Sequence, residues 1–595
     1  MQDGGDPIGY VSPRTAWGQT VTGHQRDFAR RVVPLATVGL FVMAIAMMLI
    51  ARFQNVNPVV LPFLQRAAAP ALYAQDMYLN AAIVARSSVV FPLLEALQLD
   101  MTAPAPVIAA YLAAAGVAGW GVWRILTGPL GVARPVMALM LLFLAIFADF
   151  KLVEFNKGGW IFEHNFSLTM LAAAGRVWFL YALLAWRPVL MAAVLIPINL
   201  FAFKVGWPLV LIGGAAMLWR RERSVWPWAL LALAMVVPVW AALTQSARLP
   251  TEEARAVLEV LKAAYTREDD PFAISWMSKA LFVAGLGFLW FRGVSYGPTV
   301  GVGLRVIVVV SAAIFVGGGL YFALSDSLPP VPALVLLSPA RALETVGLAA
   351  YLLALGEVVR APALKTPEKI PLLLSLTVLK VTPDLTWVVL ATLLALVAGV
   401  VWLARRWLEG RWPVVGRMAE GLSLTGMIAL AAPLMAAVFL LNLAGGRTVQ
   451  AHDAGLGFRD AAISPRAADM LQAIRAESQD RRLIFLDLGS QGWAAARWNA
   501  SARKSGIAGD PYYLPRHALM ERQAQQNALI LRLTEEVEAR QVSAETSAQL
   551  SACHARVVAP EEAQAALNGW TTVARYGDWV ELAPPPATPL DPVCG

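Results

Sequence analysis

The sequence predicts a mostly α-helical, polytopic membrane domain followed by a small C-terminal α/β domain outside the membrane. Three observations carry this. First, 58% of the 595 residues are hydrophobic and only 15% are charged, against about 25% charged in a soluble chain. That excludes a water-soluble enzyme and a disordered chain alike. Second, apolar runs near the roughly 20 residues that cross a bilayer recur from Val33 to Leu443. Third, hydropathy falls after Ala444-Gly445-Gly446, leaving residues 447–595, a normal domain length.

The charge supports the same division. The net charge is +8, but from Gln450 onward 14 basic and 17 acidic residues give −3, leaving +11 for the part before it. The basic excess therefore belongs to membrane loops, where Lys and Arg set orientation, and gives no sign of nucleic-acid binding.

The first span, Val33–Ala51, follows Arg26, Arg30 and Arg31 and has no small-residue cleavage site after it. It reads as a retained signal-anchor with residues 1–32 in the cytoplasm. Further spans read at Pro104–Ile125, Pro135–Phe150, Leu168–Trp186, Val189–Phe203, Pro208–Leu218, Trp226–Leu243, Trp276–Phe291, Gly303–Leu324, Leu343–Val358, Leu385–Leu403 and Leu422–Leu443. Val189–Phe203 and Pro208–Leu218 are short enough to be tilted, half-length or re-entrant. Counting Ile370–Lys380 as well gives 13 spans, so the range is about 11–13 for a membrane domain of residues 33–446. An odd count places the C-terminus outside. It also puts the basic turns at Arg124, Arg187, Arg220-Arg221, Arg360 with Lys365 and Lys369, and Arg405-Arg406 on one side. Residues 53–103, 151–167, 245–274 and 447–595 then lie outside. The third of these carries a helix at about Thr251–Thr266, with Thr251 as cap and Glu252 and Glu253 in its first turn.

In residues 447–595, Leu483–Leu486 reads as a buried strand, Arg516–Arg540 as a polar helix and Ala555–Val558 as a second strand. Thr571–Arg575 and Trp579–Leu582 read as a hairpin about Tyr576-Gly577-Asp578. The only cysteines, Cys553 and Cys594, lie here. In an oxidising compartment they are candidates for a disulfide closing the tail onto the domain, with two free thiols as the alternative. Their spacing does not suit zinc.

No phosphate-binding loop, HExxH or GxSxG occurs, and the five histidines show no metal-ligand spacing. Gly301-Val302-Gly303, at the start of a span, reads as a packing or flexibility feature, and Gly317-Gly318-Gly319 as a run that permits close helix contact. What remains is acids beside the membrane. Asp76 is the only acid between Arg52 and Glu95. It precedes Leu79–Leu97, which is apolar enough to lie on the membrane surface. Asp149, Glu154, Glu163 and His164 lie in or beside the second outside segment. Each acid reads either as functional, where it faces a cavity, or as an ordinary solvated loop group. Asp76 has a further plain reading, as the N-cap of a helix beginning near Met77.

A single span, a long outside loop bearing an acid and then a surface helix resembles the opening of the GT-C superfamily, polytopic glycosyltransferases that use polyprenyl-phosphate sugars. More narrowly, Pro70-Ala71-Leu72-Tyr73-Ala74-Gln75-Asp76 resembles a segment of a group of uncharacterised bacterial GT-C-like membrane proteins. So do Phe162–Thr169, Phe485-Leu486-Asp487, Arg497-Trp498, Arg503-Lys504 and Glu521-Arg522. The resemblance implies a multi-pass protein of the bacterial inner membrane, working at its outer, periplasmic face as part of the cell envelope. Asp76 would be the general base, with Asp149, Glu154, Glu163 and His164 orienting the acceptor or a divalent metal. Arg86, Arg341 and Lys380 would hold the donor phosphate. The partners would be membrane lipid and a polyprenyl-phosphate sugar, with room for protein partners. Arg341 also reads as a snorkelling or helix-pairing charge. Two departures, Gln75 and Met77 flanking a lone Asp76 and no His within Pro197–Lys204, support the alternative of a non-catalytic GT-C-like scaffold. A transporter is the third reading; it calls for matching broken helices in two halves, and only the first half has them.

Overall fold

The structure is a computed structural model. It describes residues 55–56, 61–69, 71–81, 90, 96–97, 104–132, 165–166, 168–246, 250–265, 276–378, 386–411, 465–486, 499, 502–507, 514 and 516–587. The expected anchor Val33–Ala51, the spans Pro135–Phe150 and Leu422–Leu443, the junction at 446/447 and most of Leu79–Leu97 lie outside these residues.

The membrane domain is helical, as its composition requires. In order, its helices are α1 (Leu61–Ala68), α2 (Met77–Ala81), α3 (Pro104–Thr127), α4 (Leu168–Leu184), α5 (Pro188–Trp219), α6 (Val225–Ser246), α7 (Thr251–Tyr265), α8 (Trp276–Arg292), α9 (Gly297–Leu324), α10 (Pro332–Leu336), α11 (Ala342–Arg360), α12 (Thr366–Val378) and α13 (Thr386–Arg411). Among the described residues, five stretches are long and apolar enough to cross a membrane: Ala109–Thr127, Pro188–Trp219, Lys279–Leu324, Pro339–Arg360 and Val388–Arg411. Leu168–Leu184 and Val225–Trp240 are shorter apolar helices. Two short strands, β1 (Asn55–Val56) and β2 (Asn165–Phe166), pair in parallel and tie the segment before α1 to the segment before α4.

The two short spans expected at Val189–Phe203 and Pro208–Leu218 are the arms of one hairpin, α5. A straight helix of 32 residues would be about 48 Å long. Yet the Arg220 guanidinium, just past its end, lies 4.3 Å from the ring centre of Trp186, just before its start. The chain therefore reverses, and it does so at Ala202, where φ is −156° and ψ is 84°. Gly213 lies opposite Met191 and Leu195, as a turn centred at 202 demands. Pro197 and Pro208 flank the break and each removes a helix donor. At the tip, a Cβ on Gly206 would lie 2.2 Å from Asn199 Oδ1, so the close approach of the arms needs glycine. Each arm is about 21–26 Å long, short of the ~30 Å hydrocarbon layer.

One face of the helical domain gathers both ends of α5 and the ends of α3, α4, α8 and α11. Arg124 donates to the Tyr181 hydroxyl at 2.9 Å, Arg360 donates to Leu130 O at 3.3 Å, and Arg292 pairs with Glu357. Helices α12 and α13 run antiparallel: Arg405 Nε donates to the buried Glu368 carboxylate at 2.6 Å near one end, and Ser375 Oγ to Ala391 O at 2.7 Å near the other. This puts the basic turns around Lys365 and Arg405 on the same face, as the alternation of charge requires. The 13-residue α12 spans only about 20 Å. At the other face α7 carries Lys262, which pairs with Asp326 at 3.0 Å. It starts at Thr251, so the capping position falls on Pro250, whose carbonyl accepts from Ala254 N at 2.8 Å.

Of the glycine pairs, Gly303 packs against Leu183 and Leu184, as expected of a packing feature. Gly317 does not: a Cβ there would meet open space, so that glycine is not a close helix contact.

The C-terminal domain is α/β, as the sequence predicts. Its elements are α14 (Pro465–Ala476), β3 (Arg482–Phe485), α15 (His517–Glu538), α16 (Ala544–Ala552), β4 (Ala555–Pro560), β5 (Thr571–Tyr576) and β6 (Trp579–Ala583). The sheet order is β3-β4-β6-β5, with β3 and β4 parallel and the other pairs antiparallel. Strand side chains alternate between faces. Leu483, Phe485 and Val558 pack under Met470, Leu471 and Ile474 of α14. Ile484, Val557 and Leu582 pack under Leu529 and Leu533 of α15 and Leu550 of α16. The hairpin turn holds Gly577 at φ 61°, a conformation that glycine adopts freely.

Candidate functional site

Residues 75 and 76 dock onto the C-terminal domain, and Asp76 stands at the seam. Asp76 is only 6% exposed. Its Oδ1 accepts from Leu79 N at 2.9 Å, the N-cap bond of α2. Its Oδ2 accepts from Gly506 N at 3.1 Å, 430 residues away. Around it, Gln75 N donates to Asp480 Oδ2 at 3.3 Å, and Arg482 Nε donates to Gln75 O at 2.9 Å. Asp480 in turn accepts from Ser505 N at 2.9 Å and from its hydroxyl at 2.7 Å. The seam is thus a ladder of polar bonds between residues 75–79 and residues 480–506.

Both sides of the seam carry strained backbone. Tyr73 sits at φ 62° and Arg503 at φ 55°, left-handed values costly for side chains of their size. Tyr73 is buried and its hydroxyl bonds Gln65 Oε1. Arg66 NH1 donates to Leu79 O at 2.5 Å, fixing α2 against α1. Burial pushes the Asp76 carboxyl up from 3.8 to about 6. The amides of Leu79 and Gly506 oppose that push, and the nearby Asp480 charge adds to it. Burial likewise pushes the Tyr73 hydroxyl above its ordinary value.

A second polar group lies within the helical domain, at the end nearer the C-terminal domain. Arg176 of α4 has a side chain 2% exposed and pairs with Glu344 Oε2 of α11 at 2.6 Å. Arg341 approaches Glu344 Oε1 at 3.9 Å. It sits in the 3-10 turn Pro339–Arg341, after Ser338 at φ 51°. The hairpin tip of α5 touches the same turn, through Trp207 Nε1 donating to Leu337 O at 2.7 Å. Gly175, next to Arg176, faces Ile198 of the hairpin directly. Two guanidiniums therefore approach one carboxylate in a low-dielectric setting.

Of the residues singled out from sequence, Asp76 and Arg341 thus fall in two different places, one at the seam and one among the helices. Asp149, Glu154, Glu163, His164, Arg86, Lys380 and Cys594 lie outside the described residues. Among the described residues no three His, Cys, Asp or Glu side chains stand together to hold a metal ion. Cys553 is buried and disulfide-bonded. Sequence reasoning missed Arg176 and Glu344. The signal was available: Arg176 is the one charge inside the apolar run Leu168–Leu184, and such a residue is a functional candidate by default.

A network outside both groups organises the C-terminal sheet. The Glu581 carboxylate on β6, fully buried, accepts from Arg481 Nε and NH2 at 3.0 and 2.7 Å. It also accepts from Arg556 NH1 at 2.9 Å and the Tyr576 hydroxyl at 3.0 Å.

No protein family matches the sequence, and no curated protein does. Among solved structures, the chain is similar to the crystal structure of ArnT from Cupriavidus metallidurans in the apo state. That likeness has 16% sequence identity, covers 94% of this chain and 100% of that one, and has a TM-score of 0.38; at that score it carries no weight for the site.

Proposed function

We propose that the chain is a GT-C-type membrane glycosyltransferase that takes a sugar from a polyprenyl-phosphate donor at the outer face of the bacterial inner membrane. The observation that carries this reading is the Arg176–Glu344–Arg341 group. Its two guanidiniums, near the end of the helices where the C-terminal domain sits, suit an anionic lipid phosphate. Arg341 is the more exposed guanidinium, 19% against 2% for Arg176. It would make charge-assisted bonds to the donor phosphate, while Glu344 holds both arginines in place. Asp76 lies at the same end of the molecule on the loop that faces the C-terminal domain. A carboxyl brought to about 6 by burial suits a general base near neutral pH.

A second reading, a non-catalytic GT-C-like scaffold, is favoured by one observation: both oxygens of Asp76 already accept backbone amides. Two measurements separate the readings. The full chain in nanodiscs should bind undecaprenyl phosphate, and Arg341→Gln should weaken that binding about tenfold or more, the scale of a charged hydrogen bond. Binding no stronger than that of the neutral polyprenol removes the enzyme reading. If the donor binds, transfer with Asp76→Asn decides the base. Lost turnover on an intact fold supports it, and full turnover leaves Asp76 a purely structural joint.

A further inference from the structure

We propose that the helical domain holds an anionic phospholipid in a groove between α8 and α9, where Arg305 lies over Trp290, on the face opposite the C-terminal domain. The arginines at this face lean on aromatic rings. Arg124 lies 5.3 Å from the ring centre of Tyr181, Arg220 4.3 Å from Trp186, Arg360 4.6 Å from Tyr296 and Arg305 5.4 Å from Trp290. A ring face attracts a cation but does not neutralise it, so the face keeps a net positive charge.

Arg305 lies well inside the span Lys279–Leu324, whereas Arg124 and Arg360 lie in the last turns of Ala109–Thr127 and Pro339–Arg360. It stands eight residues into α9, about 12 Å from the helix start. Its Nε is buried without a hydrogen-bond partner, and among the described residues no carboxylate pairs with it. A guanidinium at that depth is costly without a counter-charge. The stack on Trp290, two residues from the end of α8, carries the guanidinium toward headgroup level, where long basic side chains snorkel. The groove opens to lipid: Trp290 is 37% exposed and the adjacent Phe291 75%. From there an apolar stripe runs along α8 through Trp290, Val283 and Trp276, all exposed and spaced by seven residues. Residues at that spacing share one helix face. The phosphodiester meets Arg305, and an acyl chain lies along the stripe. The phosphate chemistry is that of a lipid and not of a free anion, because the site combines one half-buried cation with a long apolar track.

The test uses the full chain in detergent, titrated separately with phosphatidylglycerol, phosphatidylcholine and inorganic phosphate. The melting midpoint is followed in each case, and retained lipid is counted by native mass spectrometry. Phosphatidylglycerol should raise the midpoint and stay bound through purification. Arg305→Gln should need about tenfold more of it for the same rise. Trp290→Leu keeps the apolar bulk and should also lose retained lipid, which keeps the test decisive if Arg305→Gln folds poorly. Equal protection by phosphatidylcholine, or by inorganic phosphate alone, overturns the proposal. So does retention that is unchanged in both variants.

Discussion

Asp76 Oδ2 accepts the amide of Gly506 at 3.1 Å while its Oδ1 caps α2 through Leu79, so one carboxylate joins the segment at α2 to the C-terminal domain. Asp76→Ala should remove both bonds and leave two buried amides unsatisfied, costing about 1–3 kcal/mol each. The expected outcome is a C-terminal domain that is more readily released by limited proteolysis. Asp76→Asn retains the cap and should lose much less. Equal protease resistance in Asp76→Ala and the parent would show that the seam is held elsewhere.

The same carboxyl gives a pH dependence with a definite sign. Its folded value is raised, from 3.8 to about 6, so the folded state binds the proton more tightly than the unfolded one. The resulting contribution to stability is fully present below about 3.8 and is lost as pH rises through about 6, amounting to at most about 3 kcal/mol. Compared with Asp76→Asn, the parent should lose stability between pH 4 and 7, read as the difference in melting midpoint. A difference that is flat or opposite in sign contradicts the burial of this group.

Glu581 anchors the C-terminal sheet by accepting from Arg481, Arg556 and Tyr576. Glu581→Gln removes the buried carboxylate that Arg481 and Arg556 share and leaves Arg481 paired with Glu477, and breaking a buried pair costs about 3–5 kcal/mol. Denaturant unfolding of the full chain should show the C-terminal transition moving to lower denaturant. A shift under about 1 kcal/mol would mean that the existing pair with Glu477 suffices to hold Arg481.

Gly206 faces Asn199 Oδ1 across the tip of the α5 hairpin. Asn199 is fully buried and its amide donates to Leu195 O at 3.0 Å, so it has little freedom to move aside. Gly206→Ala should therefore cost about 1–3 kcal/mol as overpacking. In an Asn199→Ala background most of that cost should disappear. An equal cost in both backgrounds would place the clash in the backbone and not at this pair.

Cys553 closes α16 and its carbonyl accepts from Arg482 NH1 at 2.9 Å, and Arg482 also holds Gln75 O. We propose Cys594, the only other cysteine, as its disulfide partner. A loop of 41 residues stabilises by about 3–4 kcal/mol in the loop-entropy estimate. Peptide mapping under non-reducing conditions should yield a linked Cys553–Cys594 peptide, and Cys594→Ser should lower the domain's stability. Recovery of both as free thiols from native protein excludes the bridge.

The sequence revealed those parts of this fold whose causes are local. Apolar run length located the helices, and strand alternation with Gly577 at the turn located the hairpin of β5 and β6. The capping preference of aspartate placed Asp76 before Met77. Partners far apart in sequence were not legible. Nothing in the periodicity near Asp76 points to Gly506, and the reversal at Ala202 became evident only when Arg220 met Trp186. The two short spans were correctly read as unusual, but run length cannot tell a pair of spans from one hairpin. Arg176 stands out in sequence as the lone charge of an apolar run, but its partner Glu344 on α11, 168 residues away, does not.

The Arg176–Glu344 pair offers the sharpest separation of structure from function. Removing either partner alone breaks a buried ion pair, and Glu344→Gln takes away the carboxylate that lies 2.6 Å from Arg176 and 3.9 Å from Arg341. Each single variant should destabilise the chain by about 3–5 kcal/mol, seen as poor recovery of folded protein. Replacing both, as Arg176→Leu with Glu344→Leu, removes the charges together. Apolar substitution of a complete buried pair is often neutral or stabilising, so the double variant should regain the parent's melting midpoint. It should nevertheless bind undecaprenyl phosphate poorly, because Arg341 has lost the carboxylate that positions it and the site has lost one cation. A double variant that folds and binds the lipid phosphate as the parent does would show that this pair serves packing alone, and would move the donor site away from the tip of the α5 hairpin.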